Sequence, residues 1–179
     1  WYYDEQVKIA VHVIDRRLWY DQEGTSNAFD EWDAVTLYPG LDGPVDTVPT
    51  VHSFRLTTQL SWWEEDETYQ WAYRGNGTSW EESPVVFDAS PTWRGDAPNT
   101  DVGDKGWNVT FVVPFESLGL AERPQHGTTW GLAVAVHDRD ALNEASPISD
   151  QVWPERADLD VPATWASMHF GMPVRVLPS

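Results

Sequence analysis

The chain has no cysteine, which excludes disulfide bridges, thiolate nucleophiles and Cys-ligated zinc and leaves the redox compartment open. Basic residues are scarce. Eleven Lys and Arg stand against 29 Asp and Glu, for a formal net charge of −18, a surface that repels nucleic-acid phosphate and anionic membranes. Neither is expected as a partner. No apolar run approaches the roughly 20 residues of a membrane-spanning helix, so membrane insertion is not expected either. No signal peptide is present, and the chain opens on WYYDEQ without methionine, which suggests a piece of a longer, multidomain polypeptide. Helical periodicity is also missing. One turn in PFESLGL is the best candidate, confined by Pro114 and Gly119.

Signatures of catalysis are absent too. His12, His52, His126, His137 and His169 are scattered singly, with no His-x-His or His-x-x-x-His spacing to hold a metal. No G-x-S-x-G elbow occurs. With 29 acids, a carboxylate pair for glycoside hydrolysis can be nominated anywhere and therefore carries no information. The chain reads as no enzyme.

What the sequence does contain is strands. VKIAVHVID, DAVTLY, VHSFRLTTQL, YQWAY, WNVTFVVP, TWGLAVAVHD and SMHFG are short, rich in β-branched and aromatic residues, and separated by Gly, Pro, Asn and Asp. The 179 residues, 41% of them apolar, suffice for one domain with a hydrophobic core. The expected fold class is all-β, an antiparallel β-sandwich spanning residues 1–179. Three long connections are predicted, over 21–31, 74–106 and 139–164. Binding surfaces commonly come from such loops.

Twelve tryptophans are too many for one core. Most are expected to pack in the core or under loops; the remainder should lie on loops, where an indole face suits the CH-rich face of a pyranose. Acidic loops offer oxygen ligands for a structural calcium ion: Asp138, Asp140, Asn143 and Glu144 after one strand, and Asp96, Asn99, Asp101 and Asp104 in the longest connection. None matches an EF-hand, and acidic loops are commonly just solvated. Two stretches echo one another, IAVHVIDRR and LAVAVHDRD. They read as sandwich strands in which Asp15 and Asp138 mark the change from strand to loop and cap a turn or hold an ion. Asn76-Gly77-Thr78 and Asn108-Val109-Thr110 are glycosylation sequons.

The succession YYDEQVKIAVHVIDRR, FDEWDAVTLYPG, GWNVTFVVPFESLGLAERPQHGTTWGLAVAVHDRD and VWPERADLDVPATWASMHFG resembles the family 9 carbohydrate-binding module (CBM9) and its CBM9-like relatives, to which haem-carrying DOMON sandwiches are also similar. The segment VVPFESLGL followed by HGTTWGLAVAVHDRD carries most of that likeness. It implies a CBM9-like, DOMON-like β-sandwich lacking its first strand ahead of Trp1, extracellular or at the cell surface, binding polysaccharide or glycan alongside neighbouring domains. In sugar-binding members two aromatic rings clamp a terminal sugar. The resemblance carries one ring to Trp153, with Asp150 as a polar neighbour, and the other to the neighbourhood of Phe29 and Trp32. The residue after the D-x-V of Asp33–Val35 is acidic in binders but is Thr36 here. Gln151 and Arg55 complete the expected set of ligand-binding residues. Two other functions remain open, a structural or adhesive unit of an extracellular assembly and a haem-binding electron-transfer domain. Haem is not expected as a cofactor: Met168 and His169 are adjacent, and successive strand residues face opposite ways.

Overall fold

In a computed structural model, residues 5–22, 29–60, 69–100, 103–141 and 148–171 are described. Trp1, Trp62, Trp63, Asp101, Asn143, Glu144 and Met172 lie outside them. Ten strands follow in chain order: β1 (Gln6–Val13), β2 (Ala34–Gly40), β3 (Phe54–Gln59), β4 (Gln70–Gly75), β5 (Trp80–Glu82), β6 (Asp88–Arg94), β7 (Gly106–Pro114), β8 (Thr129–Asp138), β9 (Ile148–Trp153) and β10 (Ala166–His169). A three-stranded sheet has the order β1-β7-β6. A seven-stranded sheet has the order β10-β8-β2-β3-β4-β5, and β9 pairs with the same β8. All pairings are antiparallel, so the all-β antiparallel expectation holds.

Two of the three long connections are not loops throughout. β5 and β6 lie within 74–106, and β9 lies within 139–164. The physical reason is local: β6 (DASPTWR) holds a proline and few apolar residues, and β9 (ISDQVW) has no β-branched run. Both gain strand geometry by pairing with a strong neighbour, β6 with β7 and β9 with β8. The turn in PFESLGL is a 3-10 turn, Glu116–Leu118, closed by Gly119 in the left-handed region at φ 83°.

The core lies between the sheets. β7 alternates, burying Trp107, Val109, Phe111 and Val113, and from the large sheet Val35, Leu37, Leu56 and Trp130 meet them. The large sheet also has a covered outer face, where Tyr38, Ala133 and Ala135 pack under Trp165 and Trp80 stacks on Trp165 at 6.5 Å. Trp19, Trp107, Trp130 and Trp165 are buried, and Trp32, Trp71, Trp80 and Trp93 half-buried. Trp153 is 53% exposed.

Candidate functional site

Strand alternation divides the expected ligand-binding residues. Trp153 pairs with Val134 and Gln151 with Val136, and both valines face the sandwich interior. Asp150 bonds His137 on the opposite face, the face that also carries Thr36 and Thr57. Arg55 and Tyr73 are partners on that outer face. Trp153 and Gln151 therefore do not share a surface with Asp150 and Arg55, and the expected six residues do not converge on one sugar. Trp153 also stands at the end of a strand, not in a loop.

The two rings assigned near the start of β2 are corrected as well. Phe29 is 1% exposed in a 3-10 turn, Phe29–Glu31; a ring buried to that degree has no face for a ligand. Trp32 is half-buried, and one of its faces is capped by the Arg139 guanidinium, 4.5 Å from the ring centroid. Arg139 is held there by the carbonyls of Glu31 and Ala141.

On the outer face, the accessible groups cluster at β3 and β4. The Arg55 guanidinium lies over the Tyr73 ring, 5.3 Å from its centroid, and 3.6 Å from the Asp30 carboxylate. Trp71 and Tyr73, both half-buried, fall on the same face two residues apart. The Tyr38 hydroxyl feels the charges of Arg55, Asp150, Asp160 and Asp30; burial dominates and pushes its pKa up to about 12, so it stays a neutral donor. Sequence reasoning missed Trp71, Tyr73, Tyr38 and Asp30 as a group. The alternation of YQWAY was their available signal, because it places Trp71 and Tyr73 on one side.

The same face carries a chain of side-chain hydrogen bonds. Thr57 Oγ1 meets Thr36 Oγ1 at 2.9 Å, Thr36 Oγ1 meets His137 Nε2 at 2.8 Å, and His137 Nδ1 meets Asp150 Oδ1 at 2.8 Å. A hydroxyl, imidazole and carboxylate in that order have the connectivity of a nucleophilic triad. Thr36 is 0% exposed, however, so its hydroxyl has no approach for a substrate carbonyl. The chain ties β3, β2, β8 and β9 together.

A third grouping gathers at the strand ends that echo in the sequence. Asp15 after β1, Asp33 before β2 and Asp138 at the end of β8 each place a carboxylate oxygen within 4.8 Å of the others. Asp33 is 1% exposed and accepts the backbone N–H groups of Trp19 and Arg139. Burial pushes its pKa up to about 9, with the Asp15 and Asp138 charges adding to the shift. Burial raises Asp15 too, against a backbone bond from Arg17. Three hard oxygen donors in one place fit Ca²⁺, which takes six to eight oxygens. Of the expected metal ligands, Asp138 belongs to this cluster, while Asn143 and Glu144 lie outside the described residues. Asp140 is not part of it; its carbonyl accepts a bond from Arg17 at 3.3 Å. In the longest connection, the Asn99 side chain is spent on both backbone groups of Tyr20.

Met168 packs against the core and His169 bonds Thr129 at 2.8 Å, on opposite faces of β10. No helix among the described residues is long and apolar enough to cross a membrane.

No family model and no curated protein matches the sequence. Solved structures do. A CBM9 from Caldicellulosiruptor kristjanssonii in complex with cellotriose superposes with a TM-score of 0.63 at 12% identity, covering 98% of this chain and 75% of that one. A CBM9 structure from the same organism in complex with glucose gives 0.63 at 11% identity, over 98% and 76%. A candidate carbohydrate-binding protein from Bacteroides uniformis gives 0.53 at 13% identity, over 92% and 70%. Taken with two antiparallel sheets of this order, these likenesses establish a CBM9-like β-sandwich fold.

Proposed function

We propose that the chain is a non-catalytic carbohydrate-binding module, working outside the cell, whose sugar site is the outer face of the large sheet at β3 and β4. The observation that carries this reading is the Arg55 guanidinium set between the Tyr73 ring and the Asp30 carboxylate, beside Trp71 and still 24% exposed. A guanidinium and a carboxylate side by side supply a donor fork and an acceptor for vicinal hydroxyls. The neighbouring rings supply apolar faces for the CH side of the sugar. The two similar Caldicellulosiruptor structures hold cellotriose and glucose, which makes β-glucans the first ligands to try. A structural Ca²⁺ held by Asp15, Asp33 and Asp138 belongs to the same proposal; it would neutralise the carboxylates that close the end of the sandwich.

The test is calorimetric titration of the full chain with cellotriose, followed by an array of plant and bacterial glycans. Arg55→Ala and Tyr73→Ala each weaken binding at least 10-fold while circular dichroism is unchanged. Equal affinity in both variants defeats the site assignment, and no retention of any glycan defeats the function. Trp153→Ala distinguishes the two faces: loss of cellotriose binding in that variant moves the site to the other side of β9.

A further inference from the structure

We propose that the open edge of β1 is a docking edge for an extended polypeptide strand of a partner protein, with alternate apolar side chains and basic residues at one end. Among the described residues β1 pairs with β7 alone, so a row of backbone N–H and C=O groups faces outward. The opposite edge strand of that sheet, β6, is interrupted by Pro91, which cannot donate to an added strand. Eight residues of β1, QVKIAVHV, contain no proline and a single fixed charge.

The core is open along the same line. Ile9, Val11 and Val13 on β1 and Val134 and Val136 on β8 pack against the buried cluster yet are only partly covered. Between them runs a groove of about 450 Å³ whose far wall is Gln151 and Trp153 of β9. Three strands oppose seven, and β1 lies across β8 from the other sheet, so β9 has no strand opposite it. That accounts for a tryptophan 53% exposed. A strand added about 4.8 Å beyond β1 would lie over β9, burying one set of its side chains against Val11, Val136 and the Trp153 ring.

Charge selects the occupant. The groove continues into a space of about 270 Å³ that reaches Asp15 and Asp138, so a basic residue at that end of the added strand meets carboxylates. A second copy of this chain would bring another −18 charges and is disfavoured by repulsion. The resulting mode is β-strand addition, in which main-chain bonds give affinity and alternate side chains give specificity.

The experiment uses the full chain in EDTA-containing buffer and the synthetic peptide Lys-Lys-Val-Thr-Val-Thr-Val-Thr, with a Glu-Glu-initiated control. Hydrogen exchange of residues 6–13 is followed by mass spectrometry. The basic peptide slows exchange in that segment at least 10-fold, the acidic control does not, and Val11→Asp weakens the effect at least 10-fold. Trp153→Ala, on the exposed wall, gives the same weakening where Val11→Asp fails to fold, and leaves cellotriose titration unchanged. Exchange unaffected by millimolar basic peptide overturns the proposal, as does equal protection by the acidic control. Protection of residues 6–13 that depends on protein concentration without peptide also overturns it, in favour of a second copy. Loss of cellotriose binding in Trp153→Ala assigns the groove to sugar instead.

Discussion

Asp33 is a carboxyl group 1% exposed with two other carboxylates close by, and the consequence is a pH dependence of known sign. At pH values below its ordinary pKa of 3.8 the group is protonated folded and unfolded alike, so its burial costs little. Between 3.8 and about 9 the unfolded chain has released the proton and the folded protein retains it. Stability of the cation-free protein therefore falls as pH rises through that window. A thermal melt series in EDTA from pH 5 to 9 should show a declining midpoint, and millimolar CaCl₂ should raise the midpoint by several degrees, most at the alkaline end. A midpoint insensitive to both pH and calcium argues against this cluster as a cation site. The Thr36 hydroxyl makes a different prediction. Thr36→Val leaves His137 Nε2 and the Thr57 hydroxyl short of a buried partner, at a cost of about 1–3 kcal/mol. Urea titration measures that loss, and cellotriose affinity should be unchanged. Neither grouping was legible in the sequence. Asp15 and Asp138 could be singled out as strand-end carboxylates, but Asp33 joins them from a third segment. Likewise, the Thr36 that marks the departure from the sugar-binding pattern gives no hint that it bonds His137.

Strands differed in legibility for a physical reason. TWGLAVAVHD carries its own alternation and β propensity, and β8 occupies the same Thr129–Asp138. β6 and β9 lack such a pattern and acquire strand form from their partners. The site at β3 and β4 depends on a register, Arg55 opposite Tyr73, which no local pattern specifies. One joint between elements is unusually intolerant. Gly106 opens β7 at φ +109°, and a Cβ there would lie 2.1 Å from the Val13 carbonyl oxygen. Gly106→Ala therefore strains the start of β7 against the end of β1, at a cost of about 1–3 kcal/mol or more. Its signature is a lower urea midpoint together with faster amide exchange in residues 6–13. Exchange accelerated uniformly over the chain would locate the strain elsewhere.

For the molecule as a whole, −18 charges on 179 residues press outward on the folded state. Screening relieves that pressure, so the melting midpoint should rise between 10 mM and 0.5 M NaCl; a falling midpoint would show that ion pairs such as Arg55–Asp30 dominate instead. Aromatic residues divide by position. Trp107 is 1% exposed between the sheets, and Trp107→Ala should cost about 3–5 kcal/mol. Trp153→Ala, at the open edge, should stay within about 0.5 kcal/mol. Denaturant unfolding of the two variants checks both figures. By itself the sequence determined the all-β class, most of the strands, the absence of thiol chemistry and the acidic surface, because composition and period-two alternation are local properties. Tertiary structure alone decided which residues share a face: it separated Trp153 and Gln151 from Arg55 and Asp150, buried Phe29 and brought Asp15, Asp33 and Asp138 together. The physical reason is that strand pairing fixes register and side between residues far apart in the chain, and a site is made of sides.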